Sequence, residues 1–257
     1  DTSNPAVLDW LAGLMRQVRG WGYDYVKLDF LYAGALSGKR RGDEPREQAY
    51  RRSLEVMRDA VGEDAYLAAC GAPILPSLGI ANALRVSPDT AGEWEIHRDA
   101  VLLSSSSLPG AKNALRTTLH ELWLKPLMQV DPDVCYFTSR HNSLTPEQRQ
   151  LLQDLALICG FKSASDLPQW LSPGEREALR QFLEDPSQPV QEGRYTFRIG
   201  ERPVDFSPFV DLPSVPTGLD RIQAPLFGWA ADQLLVMRVF DRMQRRSLEK
   251  RRKELEQ

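Results

Sequence analysis

The spacing of hydrophobic residues along the chain predicts alternating helices and strands. A first helix follows the cap residue Ser3 or Asn4 and ends at Gly20, because apolar residues between them recur at three- and four-residue spacing. The apolar run over residues 25–31 shows little alternation, which is typical of a strand covered on both faces. The same patterns predict helices over residues 45–61, 111–128, 145–159 and from 172 onward, and strands over residues 65–70, 82–87 and 133–139.

Strands that alternate with helices predict an α/β fold with a parallel sheet, either open or closed as a barrel. We favour a (β/α)8 TIM-barrel type of fold for residues 1–185. Residues 186–228 contain many prolines and strand-like alternation, which favours a small antiparallel β region or a linker. Residues 229–257 predict an amphipathic helix whose mixed charges are more typical of a solvated helix end than of a nucleic-acid or partner site.

The composition is that of an ordinary globular protein. The chain has 257 residues, 42% of them hydrophobic, and a formal net charge of -3, so nothing points to nucleic acid or membrane as a partner. Cys70, Cys135 and Cys159 lack CxxC spacing, which argues against a disulfide framework and favours reduced thiols in a cytoplasmic protein. The chain has no signal-peptide pattern and begins at Asp1 without an initiator methionine, so we expect that its start is a cut.

Lys27 and Asp29 lie near the carboxyl end of the first predicted strand, where parallel α/β sheets bind their ligands. Residues two apart in a strand point to the same face, so both side chains should face one cavity. A neighbouring ammonium favours the ionised carboxylate and would keep Asp29 available as a nucleophile or metal ligand. A buried ion pair explains the same two residues equally well.

Arg85 and Asp89 lie at and just beyond another predicted strand end, and Pro88 stiffens the loop between them. A carboxyl group over a partly apolar pocket can serve as a general acid, although an aspartate after a proline is also ordinary turn chemistry. Two aspartates from two strand ends, each with a cationic neighbour, are what glycosyl transfer requires: one attacks and the other protonates the departing oxygen.

Other polar clusters are weaker candidates for a site. The histidines at positions 97, 120 and 141 share no metal-ligand spacing, and the serines at 104–107 have no nucleophile elbow. Asp131 and Asp133 could bind a cation, but we interpret them as a turn that enters a strand. Trp94 and Trp123 could stack against a sugar, but packing within the fold explains them more simply.

Three segments together resemble the family 36 glycoside hydrolases, the melibiase-type α-galactosidases. They are YDYVKLDFLYAGAL at 23–36, CGAPILPSLG at 70–79 and RVSPDTAGEW at 85–94, and the resemblance extends over about residues 1–185. It implies a retaining hydrolase of α-galactosides, with Asp29 as nucleophile and Asp89 as general acid/base. Such an enzyme holds its two carboxyl groups about 5 to 5.5 Å apart and passes through a covalent glycosyl-enzyme intermediate.

The same resemblance assigns the substrate-binding positions. It implies that Lys27 binds sugar hydroxyls, that Arg85 holds the sugar and steers the carboxylates, and that Cys70 and Gly71 line the galactose pocket. No metal and no organic cofactor are expected.

The chain departs from the family pattern in its length. The family barrel has eight strands with the nucleophile on the fourth, whereas Asp29 lies on the first strand predicted here. We therefore expect roughly strands four to eight of the barrel, and the resemblance fades beyond about residue 211. Uncovered strand edges would favour a homo-oligomer or association with a missing N-terminal half.

Two other functions remain open. A galactosyl transferase of the raffinose-synthase kind would use the same two aspartates. A non-catalytic sugar-binding or assembly fragment would retain binding without turnover.

Overall fold

The structure is a computed structural model that describes residues 1–94 and 109–210. The helices of this part are α1 (Pro5–Gly20), α2 (Arg46–Val61), α3 (Ile74–Ser77), α4 (Ala111–Glu121), α5 (Pro146–Cys159) and α6 (Pro173–Glu184). The strands are β1 (Tyr25–Leu28), β2 (Tyr66–Cys70), β3 (Ala83–Arg85), β4 (Gln129–Asp131), β5 (Val190–Gln191), β6 (Thr196–Ile199) and β7 (Arg202–Asp205). Short 3-10 helices span Leu31–Ala35, Leu122–Leu124, Pro168–Trp170 and Ser207–Phe209.

Strands β1 to β4 form one parallel sheet in the order β1-β2-β3-β4. Helices connect the strands, as parallel pairing requires. An isolated parallel bridge also joins Cys135 and Ala164. These features confirm the α/β class and the parallel sheet that the sequence predicts.

The strand register separates the two faces of this sheet. Leu28, Ala69, Leu84 and Val130 are aligned side by side, and the last three are fully buried in the hydrophobic core. Val26, on the same face, packs with Met15 of α1 and with residues of α2. Since side chains alternate along a strand, the residues between these positions face the opposite side, away from the helices.

Strand β1 is shorter and more exposed than predicted. It ends at Leu28, and the chain turns at Phe30, whose φ of 56° lies in the left-handed region. The expectation of a strand covered on both faces is wrong, because Tyr25 and Lys27 are exposed. Among the residues that the structure describes, β1 pairs only with β2 and leaves its other edge uncovered.

Two prolines explain the errors around β4. The helix predicted over residues 111–128 ends at Glu121, ahead of Pro126, whose ring cannot continue a helix. Of the strand predicted over residues 133–139, the structure keeps a single parallel bridge at Cys135. The strand of this region is Gln129–Asp131, which ends at Pro132, a residue without an N–H for the ladder. Asp131 therefore closes a strand instead of introducing one.

Beyond α6, strands β5 to β7 form an antiparallel sheet. Phe197 and Phe206 of this region are buried in the same core cluster as α5. Arg202 of β7 donates to both oxygens of the buried Asp154 of α5, at 2.8 and 2.5 Å. The boundaries of the segments 1–185, 186–228 and 229–257 stay predictions, and residues 211–257 lie outside the described part.

The helix boundaries follow from local chemistry. Helix α5 begins with a capping box of Thr145 and Gln148, and α6 begins with one of Ser172 and Glu175, as the predicted helix starts at 145 and 172 require. In the portion of the chain that the structure covers, no helix is both long enough and apolar enough to cross a bilayer.

We expect Leu155→Ala to lower the free energy of unfolding by about 2–5 kcal/mol, because Leu155 of α5 is 1% exposed and its truncation leaves a cavity. The matched control is Leu183→Ala on α6, where the side chain is 51% exposed and the cost should stay below about 1 kcal/mol. Urea unfolding followed by circular dichroism measures both. Equal losses in the two variants would contradict this assignment of the core.

Candidate active site

The carboxyl ends of the parallel strands bring four polar residues into one row. Cys70, Arg85 and Asp131 are direct register partners across β2, β3 and β4. Asp29 follows the end of β1, two residues beyond Lys27, which is aligned with Ala68 of β2. The row occupies the sheet face that the helices leave free, at the edge where parallel α/β sheets bind ligands.

Asp29 is an exposed carboxylate with several stabilising neighbours. Its Oδ1 accepts the N–H of Phe30 at 2.7 Å, and the Cys70 thiol donates a hydrogen bond to the carboxylate. Partial burial raises the pKa of Asp29, but these two hydrogen bonds and the positive charges of Lys27 and Arg85 outweigh it and lower the pKa overall. Asp29 is therefore ionised at neutral pH.

Cys70 is a buried thiol that remains protonated. Burial raises its pKa to about 11, and its hydrogen bond to the Asp29 carboxylate adds to the effect. Cys70 thus acts as a donor to Asp29, because the thiol keeps its hydrogen over the physiological pH range.

Arg85 connects this row to the following loop. Its side chain is 4% exposed, and its Nη2 donates to Asp89 Oδ1 at 2.8 Å and lies 3.0 Å from Asp133 Oδ2. Its Nη1 lies 3.9 Å from the Cys70 sulfur. Burial lowers the pKa of Arg85, but the charge of Asp133 and the hydrogen bond to Asp89 raise it above its ordinary value. The guanidinium therefore stays charged and connects the Cys70 side of the row with the carboxylates of Asp89 and Asp133.

Asp89 extends from the loop after β3 toward solvent. Its carboxylate is 77% exposed, and its backbone carbonyl accepts the N–H of Gly110 at 2.9 Å. The structure therefore brings Arg85 and Asp89 together as the sequence predicts, with Asp89 accessible from outside.

Asp131 and Asp133 belong to this site, which the sequence interpretation missed. Asp131 is 3% exposed, and its Oδ1 accepts the N–H of Asp133 at 2.7 Å. Burial raises the pKa of Asp131 to about 6, and the negative charge of Asp133 raises it further while the N–H bond lowers it. Their interpretation as a turn entering a strand is wrong, since β4 ends at Asp131. Pro132 was the signal that could have located this strand end.

Lys27 and Asp29 both border a groove of about 460 Å³. The groove passes around the free edge of β1 to α1 and α2, and Arg85 and Asp89 are not among its lining residues. Lys27 nevertheless acts on the row, because its charge lowers the pKa of both Asp29 and Asp131.

Gly71 allows the loop after Asp29 to approach β2 closely. It has a φ of 55°, which favours glycine, and its carbonyl accepts the N–H of Tyr32 at 2.6 Å. A side chain here would meet the Tyr32 ring at 3.4 Å and the Phe30 backbone at 3.5 Å. The exposed rings of Phe30 and Tyr32 contact edge to face beside Asp29.

The remaining candidates lie apart from this row. Trp94 packs edge to face on Phe209, while Trp123 is exposed and donates to Glu121 at 2.8 Å. His97 and the serines at 104–107 lie outside the described residues. Within residues 1–94 and 109–210, no three His, Cys, Asp or Glu side chains are placed to hold a metal ion.

A parallel sheet with ionisable carboxylates and an arginine at its carboxyl edge is the arrangement of an α/β enzyme site. No protein-family model matches the chain. The chain is similar to TtGalA, an α-galactosidase from Thermus thermophilus solved in complex with p-nitrophenyl α-D-galactopyranoside, with 46% identity and a TM-score of 0.75 over 81% of this chain and 42% of that chain. A second TtGalA structure, in complex with stachyose, matches with 48% identity and a TM-score of 0.65 over 71% of this chain and 39% of that chain.

The chain therefore spans less than half the length of the α-galactosidase that it matches. The similarity agrees with the α-galactosidase resemblance of the three sequence segments.

The raised pKa of Asp131 predicts a pH-dependent stability. Its carboxyl stays protonated to about pH 6 in the fold, whereas an unfolded aspartate ionises near pH 4. The stabilisation is therefore complete below about pH 4 and is lost as pH rises through about 6. Relative to Asp131→Asn, the wild-type chain should lose up to about 3 kcal/mol of unfolding free energy over this interval.

Urea unfolding between pH 3.5 and 7.5 measures this difference. The control is Asp205→Asn, because hydrogen bonds to Ser207 lower the pKa of the exposed Asp205. For this pair, the unfolding free energy of the wild-type chain relative to Asp205→Asn should instead decrease as pH falls. A difference between wild type and Asp131→Asn that stays constant with pH would contradict the prediction.

Proposed function

We propose that this chain is the C-terminal portion, about strands four to eight, of a family 36 (β/α)8 barrel. Its activity would be that of a retaining α-galactosidase that releases terminal α-galactose from galactosides. The observation that carries the proposal is the Arg85 link: one buried guanidinium joins Asp89 directly and reaches Asp29 through the Cys70 thiol. Similarity to TtGalA supports the choice of galactosides.

In the first half of the reaction, the ionised Asp29 attacks the anomeric carbon of the galactosyl group. The bond from this carbon to the glycosidic oxygen breaks, and Asp89 gives that oxygen its proton, so that the leaving group departs neutral. The lowered pKa of Asp29 suits this role, because a nucleophile must be ionised at the working pH.

In the second half, Asp89 accepts a proton from water as the water attacks the glycosyl-enzyme intermediate, and the bond to Asp29 breaks. The exposure of the Asp89 carboxylate suits an exchange of protons with leaving group and water. The carboxyl separation of about 5 to 5.5 Å that a retaining mechanism requires stays a prediction.

The neighbouring residues would bind the sugar. We assign Lys27 to sugar hydroxyls and Arg85 to holding the sugar and steering the two carboxylates. Cys70 and Gly71 would line the galactose pocket, where Gly71 leaves room that a side chain would fill. We propose no metal or cofactor for these steps. TtGalA was solved with stachyose, which makes oligosaccharides with a terminal α-galactose the natural substrates to test.

A second candidate function follows from the open edge of β1 in the part of the sheet described here. A chain that corresponds to 42% of TtGalA could bind galactose without turning it over, or form a homo-oligomer or a complex with an N-terminal half. Galactosyl transfer to a sugar acceptor, as in raffinose synthases, would use the same two aspartates.

We keep the cytoplasmic location as a proposal that rests on three free, buried cysteines.

We expect the chain to hydrolyse p-nitrophenyl α-D-galactopyranoside, and Asp29→Ala to lower kcat by roughly 10³-fold or more, because the covalent intermediate cannot form. The control is Asp24→Ala, at the opposite end of β1, where the carboxylate is 84% exposed. Release of nitrophenolate gives the rates. Unchanged turnover in Asp29→Ala would rule out the nucleophile, and galactose binding by calorimetry without hydrolysis would favour the second candidate.

The stereochemistry of the first product tests the retaining mechanism. Two successive inversions, one at the attack of Asp29 and one at the attack of water, should release galactose first as the α-anomer. Proton NMR within the first minutes distinguishes the anomers before they equilibrate. Release of β-galactose as the first product would show a single displacement, and Asp29 would then not form a covalent intermediate.

A further inference from the structure

We propose that Asp133 is a positioning residue that holds the guanidinium of Arg85, and the loop that carries Asp89, in the arrangement that general acid catalysis needs. The proposal rests on the function proposed above. Neither the sequence motifs nor the similarity to TtGalA assigns a role to Asp133.

The first connection is through the Arg85 side chain. A single nitrogen, Nη2, lies 2.8 Å from an oxygen of Asp89 and 3.0 Å from an oxygen of Asp133. The Asp133 side chain is 12% exposed, whereas that of Asp89 is 77% exposed. Because solvent weakens an exposed ion pair, the sheltered Asp133 is the stronger anchor for Arg85.

The second connection is through the backbone. Asp133 Oδ2 accepts the N–H of Thr90 at 2.7 Å, and Thr90 directly follows Asp89. The Tyr136 hydroxyl donates to the carbonyl of Thr90 at 2.9 Å and fixes its other side. Asp133 thus restrains both the residue next to Asp89 and the arginine that Asp89 contacts.

The position of Asp133 is itself defined by the turn after β4. Asp131 Oδ1 accepts its N–H, and its φ of 76° lies in the left-handed region. Aspartate and asparagine adopt this region more readily than other residues with a side chain. Asp133→Asn therefore keeps the turn and an acceptor oxygen while it removes the charge that holds Arg85.

A displaced general acid has a specific kinetic consequence. A leaving group that departs as a stable anion needs little protonation, whereas an alkoxide or sugar leaving group depends on it. A merely structural role for Asp133 would lower the rates on both kinds of substrate equally. The ratio of the two rates therefore reports on the position of Asp89.

The kinetic experiment compares kcat/KM for methyl α-galactoside and 2,4-dinitrophenyl α-galactoside. For Asp133→Asn we expect the loss on the methyl galactoside to exceed that on the dinitrophenyl galactoside by about tenfold or more. The matched control is Asp154→Asn, which also removes a buried carboxylate from an arginine, here Arg202, outside the site. Its rates on the two substrates should change by the same factor.

A second measurement does not require turnover. In the 15N-labelled chain, the NMR signal of the Arg85 Nε–H group is assigned by its loss in Arg85→Lys. We expect the Nε–H proton to exchange with water about tenfold faster or more in Asp133→Asn, and at an unchanged rate in Asp154→Asn. An Arg85 signal unaffected by Asp133→Asn, or equal rate losses on both galactosides, would overturn the proposal. If the wild-type chain shows no turnover, the proposed function fails for this chain, and the Arg85 signal alone decides whether Asp133 holds the arginine.

Discussion

The arrangement of this site depends on one buried positive charge, the guanidinium of Arg85. A charge removed from water must be compensated by partners, and here Asp89 and Asp133 supply two carboxylates to the same nitrogen. Strand β3, from which Arg85 projects, is buried throughout and paired on both sides, so the direction of the side chain is set by the sheet. The loop after β3 and the turn after β4 are therefore coupled through one side chain.

The same edge of the sheet holds two carboxyl groups whose pKa values are shifted in opposite directions. Asp29 lies in solvent beside Lys27 and accepts hydrogen bonds from Phe30 and Cys70, which lowers its pKa. Asp131 lies on β4, three strands away from β1 in the sheet, almost fully buried, and burial raises its pKa to about 6. The two carboxyl groups differ in pKa because they differ in exposure and hydrogen bonding. Asp29 is therefore suited to nucleophilic attack, whereas Asp131 supports the turn after β4.

The row of polar residues at the strand ends can be predicted from the sequence, because its position depends on two patterns. They are the alternation of strands with helices and the alternation of side chains within a strand. Asp29 and Arg85 follow from these patterns, Cys70 follows from the family resemblance, and the structure places the three together. Strand β4 escapes prediction because it has only three residues and lies between Pro126 and Pro132, so that Asp131 and Asp133 were assigned to the wrong end of a strand. Sequence periodicity also cannot reveal that β1 lacks a second neighbour in the described part of the sheet. The chemical roles rest on resemblance, since spacing alone does not identify a sugar.

The two proposed catalytic aspartates are unequally supported by the fold. Arg85, which contacts Asp89, projects from a strand between two paired neighbours, and Thr90 beside it is tied to the turn after β4. Asp29 follows the end of β1, whose outer edge is uncovered in the described sheet and borders an apolar groove lined by Leu11, Leu14 and Val18. Exposed strand edges and apolar grooves favour partners, because both leave groups that association would satisfy. A partner bound at the outer edge of β1 would therefore act first on the position of the proposed nucleophile, while the acid/base half of the site is held from within this chain.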